Sequence, residues 1–268
     1  ESLTGPQKKE MALSWDDPRR TKISANWKIT NATIGTFSPD QKKIIDDILA
    51  GITSEDGLGR MKKQMEVDYG GVDKYAIAIF GKPEDDQFAF ELTGRHLTLR
   101  ADGDTTPGAA FGGPLIYGHG AAGNSDKNLY WYQTQQANEV FKALDADQRK
   151  QALQARSPNE SAVELRENAS QLPGIAGKDL SDDQKELLLK TLGVILAPYR
   201  QADVDEAMEC LKAGGGVDSL HMAYYQNGDL GGDGVWDVWR LESPTVVCHF
   251  RGAPHVHAYI NIARRSEG

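Results

Sequence analysis

Trp236-Asp-Val-Trp-Arg-Leu-Glu-Ser-Pro-Thr-Val-Val-Cys-His-Phe-Arg-Gly-Ala-Pro-His-Val-His-Ala-Tyr-Ile-Asn-Ile262 reads as a meander of three strands. The strands run from Trp236 to Leu241, Thr245 to Arg251 and His255 to Ile262, with turns at Ser243-Pro244 and Gly252-Ala253-Pro254. Successive side chains of a strand alternate faces, so His255, His257, Tyr259 and Asn261 share one side and Val256, Ala258, Ile260 and Ile262 the other. The second set can join a core. The first carries two imidazoles about 6.5 Å apart along the strand, near enough to converge on one metal ion. His249, His255 and His257 are half of the six histidines in the chain.

An earlier pair of segments, Tyr75 to Phe80 and Phe88 to Arg100, is joined by Gly-Lys-Pro-Glu-Asp-Asp and reads as a hairpin. Within the second segment Phe88, Phe90 and Leu92 have one parity and Leu97 and Leu99 the other. A one-residue slip near Gly94, such as a β-bulge, would return all five to the apolar side and set His96 and Thr98 on the face of Glu91.

Helical patterns fill most of the space between these strands. Ser38-Pro-Asp-Gln41, Asp145-Ala-Asp-Gln148 and Ser181-Asp-Asp-Gln184 are capping boxes, each opening a helix. The first helix sets Ile44, Ile45, Ile48, Leu49 and Ile52 against Lys42, Lys43, Asp46 and Asp47. A further helix covers Gln133 to Leu144, and Asp203 is expected to cap another that ends at Gly214-Gly215-Gly216. Strands early and late with helices between them predict an α+β fold: an antiparallel sheet from the N-terminal hairpin and the C-terminal meander, with a helical layer packed on it. Residues 1–30 read as an N-terminal extension and 31–268 as a single α+β domain.

Thr105 to Ser125 contains no Lys, Arg, Asp or Glu and is dense in glycine around Phe111-Gly-Gly-Pro114 and Tyr117-Gly-His119-Gly120. It reads as an ordered loop that brings backbone close to a ligand. Asn227 to Gly234 offers oxygen ligands without calcium-loop spacing and reads as a turn. Asn31-Ala-Thr33 and Asn168-Ala-Ser170 match the glycosylation triplet.

Thirty Lys and Arg against 39 Asp and Glu leave a formal charge of -9, which argues against a nucleic-acid partner. No apolar run approaches the roughly 20 residues of a membrane span. Two cysteines cannot make a disulfide framework, and no nucleophile-elbow motif supports a serine triad. The start at Glu1 suits either a mature end left by leader removal or a chosen boundary.

Taken in order, Phe90-Glu-Leu-Thr-Gly94-Arg-His96-Leu97, Phe111-Gly-Gly-Pro114 and His255-Val-His257 resemble a bacterial family known as domain of unknown function 3500. The likeness runs from the first capped helix to the last strand. It implies an exported protein (periplasmic or extracellular) and a shared fold, and it carries no established activity. Arg95 stands where that pattern often has a histidine, and Asn261 where it often has an arginine. The pattern also has an acidic residue more often around Cys248 and His249.

The residues themselves point to a mononuclear metal site on His96, His255 and His257, completed by His119 or His249, with zinc or copper as the metal. Glu91 and Tyr259 are the candidate catalytic groups, and Asp237 and Glu242 the other candidates to orient an imidazole. The expected partner is a metal ion or a small-molecule substrate, and the expected activity that of a metal-dependent hydrolase or oxidoreductase. The competing expectations are a non-catalytic protein holding metal or a small ligand, and a scaffold in which the histidines only pair with carboxylates.

Overall fold

The computed structural model describes residues 2–120, 123, 125–166 and 171–264. The Asn168-Ala-Ser170 triplet lies outside them, as do Ala121, Ala122 and Asn124 of the glycine-rich loop.

Seven α-helices are present among the described residues: α1 (Gly5–Met11), α2 (Pro39–Ile52), α3 (Glu55–Tyr69), α4 (Trp131–Ala143), α5 (Ala146–Ala152), α6 (Asp182–Leu196) and α7 (Gln201–Ala213). The strands are β1 (Ala12–Leu13), β2 (Ala76–Gly81), β3 (Phe88–Gly94), β4 (Leu97–Ala101), β5 (Leu115–His119), β6 (Leu153–Gln154), β7 (Ile175–Ala176), β8 (His221–Tyr225), β9 (Val238–Ser243), β10 (Val246–Arg251) and β11 (Val256–Ile262). They form one sheet in the order β1-β2-β3-β4-β5-β11-β10-β9-β8-β6, with β7 also on β8. The fold is therefore α+β.

The expected all-antiparallel sheet needs correction, because β1 pairs parallel with β2 and β6 parallel with β8. Both are two-residue strands that directly follow a short helix, α1 or α5. The body of the sheet is antiparallel. The N-terminal hairpin and the C-terminal meander meet through β5, which pairs with β4 and with β11. That junction brings the segment around His96 beside the last strand.

The parity break in Phe88 to Arg100 is a turn and not a bulge. Gly94 pairs with Leu97 and Leu92 with Leu99, so Arg95 and His96 are the two central residues of a second, tight hairpin. His96 adopts the left-handed conformation, φ 57°, a conformation in which histidine is among the less penalised non-glycine residues. The apolar residues on both sides still reach one face, because a two-residue turn restores the pairing that a continuous strand would lose.

All three capping boxes form, at Ser38, Asp145 and Ser181, each stabilising its helix by about 1 kcal/mol. Ile45 and Leu49 of α2 enter the core, whereas Ile44 stays 48% exposed. Burying each of those two stabilises the fold by about 2 kcal/mol. The helix expected to start from Asp203 begins earlier, at Gln201, with Arg200 at the cap and Asp203 bonded to the Arg200 side chain. Two helices were not expected from the sequence: α1, with its own capping box at Thr4, and α3, capped by Ser54 and closed by Gly70.

The main core lies between the helices and one sheet face, to which the strands contribute Ile77, Leu92, Leu99, Tyr117, Trp239, Leu241, Phe250 and Ile260, among others. The opposite face is covered by irregular chain. Ala25 and Val163 pack there with Ile116, Val247 and Tyr259, and Ile29 with Ala76, Ala78 and Phe80. This face also buries two ion pairs, Glu91 with Arg100 and Arg240 with Glu242, each at 3.1 Å. Met11 belongs to the main core and Asn26 bridges to Arg95.

Candidate metal centre

His257 pairs with Gly118 of β5 and with Arg251 of β10, which sets it on the irregularly covered face of the sheet. His255 precedes the strand, after the turn through Gly252 and Pro254. The hairpin turn at His96 arrives from the other half of the sheet. The ligand nitrogens of His96, His255 and His257 lie within 4.8 Å of one another, and the two Nε2 atoms of His255 and His257 are 3.0 Å apart. Zinc bonds of about 2.0–2.1 Å in a tetrahedral shell set ligand nitrogens about 3.3 Å apart, so small ring movements suffice to close the triad on an ion.

Two of the three rings are held from behind by carboxylates. His96 Nδ1 lies 2.7 Å from Asp68 Oδ2, which leaves its Nε2 for the cluster. Asp68, near the end of α3, also accepts the Gly120 amide with both oxygens, at 3.0 and 2.9 Å. Burial raises the Asp68 carboxyl pKa, but the His96 and Gly120 hydrogen bonds outweigh it and the net shift is downward. Gln64, one turn earlier on α3, donates to the His96 carbonyl at 2.8 Å and accepts from Tyr130. His257 Nδ1 lies 3.0 Å from Glu160 Oε1, and the same oxygen accepts from the Tyr259 hydroxyl at 3.1 Å. Burial acts against ionising Glu160, yet its hydrogen bonds to His257 and Tyr259 and the Arg251 charge bring it down to about 2.

Burial keeps the rings of the closing strand neutral. The His255 pKa falls to about 4 through desolvation and the neighbouring His257 and Arg251, and that of His257 falls for the same first cause despite the bond to Glu160. Neutral imidazole is the form that binds metal.

The other candidates sit elsewhere. His119 ends β5 behind Asp68, its Nε2 4.0 Å from Asp68 Oδ1 and its Nδ1 accepting from the Leu129 amide; it backs the carboxylate that holds His96. His249 shares a sheet face with His257 but pairs with Tyr259 and Arg240, and burial lowers its pKa to about 3. Glu91 is engaged by Arg100 and burial raises its carboxyl to about 7. Glu242 pairs with Arg240, and Asp237 accepts the Leu230 amide in the turn before β9. Asp229 and Asp233 accept backbone N–H groups of that turn. Cys210 and Cys248 are free and buried. No helix among the described residues is long and apolar enough to cross a membrane.

Sequence reasoning missed Asp68, Glu160 and Arg251. The helix that carries Asp68 could have been read, since Ser54 caps it and Leu58, Met61 and Met65 repeat at helical spacing, but not Asp68 itself. Glu160 lies in irregular chain with no periodicity to mark it. Arg251 stands opposite His257 in the β10–β11 register, so the meander itself held the signal.

The glycine-rich segment read as a loop contains a central strand, β5, because Leu115 to His119 pair with β4 and β11, and its glycines lie against the site. A Cβ on Gly120 would stand 2.8 Å from His96 Cε1, and one on Gly118 would stand 2.2 Å from the Val256 carbonyl oxygen and 3.2 Å from His257 Cδ2. An opening of about 260 Å³ lies beside Glu160, His257 and Tyr259.

No curated protein and no solved structure matches this chain. The family described as Protein of unknown function (DUF3500) matches residues 1–262, and the chain belongs to that family.

Proposed function

We propose that the protein holds one zinc or copper ion on His96, His255 and His257 and uses it on a small molecule that enters beside Tyr259. One observation carries this reading: three imidazoles from two distant parts of the chain converge, and two of them are bonded on the far ring nitrogen to the buried Asp68 and the partly buried Glu160. Such carboxylate–imidazole pairs fix the tautomer and raise ligand basicity at metal sites. The donor set fits, since each of these two rings keeps Nε2 for the ion. Three protein ligands within reach among the described residues support an open fourth position, the mark of a catalytic rather than a structural site.

A bound ion supplies Lewis-acid activation of water if it is zinc, and redox chemistry if it is copper. The chain's own groups do the rest. Asp68 and Glu160 orient the rings, Gly118 and Gly120 let backbone close against them, and Glu160 with the Tyr259 hydroxyl can receive or pass a proton at the mouth of the opening. Glu160, rather than Glu91, is the carboxylate this reading assigns to acid–base work.

Elemental analysis of protein purified without a nickel column tests the reading. About one ion per chain is expected, and His257→Ala should reduce affinity by more than the roughly 10–100-fold that follows loss of an outer partner. Substoichiometric metal that His257→Ala leaves unchanged would overturn it.

A further inference from the structure

Arg251 is a charged group at the centre that the metal reading does not use. Its Nη2 lies 2.7 Å from His257 Nδ1 and 3.4 Å from His255 Nε2, and its Nε is 3.3 Å from Glu160 Oε2. The side chain is a quarter exposed, so solvent reaches it.

His257 Nδ1 faces two partners with opposite demands. It can accept from Arg251 or donate to Glu160, and a neutral ring has one proton to place. Once Nε2 serves an ion, the proton is on Nδ1 and bonds Glu160, so Arg251 loses that acceptor. Recruitment of His255 Nε2 by the same ion removes the second. The Nη2 group, half-buried beside the ion, then loses both of the imidazole acceptors it meets now, while Nε keeps Glu160 Oε2.

Charge leads to the same place. A divalent ion and Arg251 bring three positive charges against two negative ones on Asp68 and Glu160. A net positive charge in a largely desolvated site is costly until an anion cancels it.

We propose, resting on the metal reading above, that the loaded site binds a monoanionic oxyanion of the small-carboxylate class, with Arg251 donating to the oxygen not held by the ion. Neutral hydrogen-bonding groups line the opening on the His257 side: Asn26, Asn159, Ser161 and Tyr259 share it with Glu160 and His257. A carboxylate carrying hydroxyl or amide groups matches that lining.

The test uses the full chain loaded with cobalt(II), whose visible absorption reports its coordination. Acetate, acetamide and inorganic phosphate are titrated into the wild type and Arg251→Met. Acetate should shift the spectrum saturably and acetamide should not. Arg251→Met should weaken acetate at least tenfold while cobalt is held as tightly or more tightly. Equal acetate affinity in Arg251→Met, a wild-type spectrum indifferent to acetate, or phosphate binding more tightly than acetate would each overturn the inference and leave the metal centre standing. A wild-type protein that takes up no cobalt would overturn both.

Discussion

The two flanks of the histidine triad are built differently. On one side Asp68 extends from a capped helix, is 1% exposed, and meets His96, the Gly120 amide and, at 4.0 Å, His119. Gln64 on the same helix ties the His96 backbone in place. On the other side Glu160 comes from irregular chain, is 27% exposed, and is anchored through its neighbourhood: Asn261 donates to the Val163 carbonyl at 2.9 Å and Arg240 to the Ala162 carbonyl. The helical flank is the more deeply buried and the more fully bonded, whereas the irregular one borders the opening beside Tyr259.

Asp68→Ala should produce the largest effect. It strips His96 Nδ1 and the Gly120 amide of their acceptor in a buried place, where each donor left unsatisfied costs roughly 1–3 kcal/mol. Thermal unfolding of the metal-free protein should fall by roughly 10 °C, and zinc affinity by about 10–100-fold. An unchanged melting temperature with weakened zinc would mean that Asp68 serves the ion and not the fold, which would erase the contrast between the flanks.

A pH series sharpens the same contrast through a second carboxylate on the His96 half of the sheet. Burial raises the Glu91 carboxyl from 4.5 to about 7, with Arg100 only partly offsetting it. The folded state therefore holds this proton more tightly than the unfolded chain. The Glu91 contribution to stability is greatest below pH 4.5 and is lost as pH rises toward 7, by on the order of 3 kcal/mol. Glu160 has the opposite sign: its pKa is lowered to about 2, so its contribution is present above pH 4.5 and is lost as pH falls toward 2. Chemical denaturation of wild type and Glu91→Gln between pH 5 and 8 checks the first half. The stability difference should move in favour of Glu91→Gln as pH rises, and a pH-independent difference would contradict the buried assignment.

Glu160→Gln should touch function more than fold. The amide keeps the shape and one acceptor for His257 or Tyr259 but removes the charge that balances Arg251. Zinc affinity should drop about tenfold, roughly 1.4 kcal/mol, with the melting temperature falling by less than in Asp68→Ala, since Glu160 is partly exposed. A loss of stability matching that of Asp68→Ala would show that the irregular flank is as structural as the helical one.

How much of this was legible depended on whether a residue's role was written within its own segment. Alternation in Val256 to Ile262 placed His257 and Tyr259 together, and Ser38, Asp145 and Ser181 announced their helices, because capping and pleating are local. His96 was found for a partly mistaken reason. Its parity break belongs to a tight turn, and Arg-His lacks the Asn-Gly or Asp-Gly character that marks such turns. Asp68 and Glu160 stayed hidden because their task is to meet rings that lie 28 and 97 positions away. Nothing in α3 marks one acidic residue among several as the buried one. The chain around Glu160 follows the sheet surface, not a period of its own.

The smallest expected effect probes stiffness directly. Gly120 does not need its conformational freedom, since its φ is not positive, and an alanine fits the backbone there. The added methyl would meet His96 Cε1 at 2.8 Å and Asp68 Oδ1 at 3.4 Å. If the helical flank is rigid, the ring cannot retreat, because Asp68 holds it from one side and Gln64 holds its backbone from another. Gly120→Ala should then cost about 1 kcal/mol of zinc affinity through strain, a severalfold weakening, with secondary structure intact. Affinity equal to the wild type would mean that His96 yields by a few tenths of an ångström without loss. Both flanks would then be adjustable, and the position of the ion would be set by the imidazoles themselves and not by the carboxylates behind them.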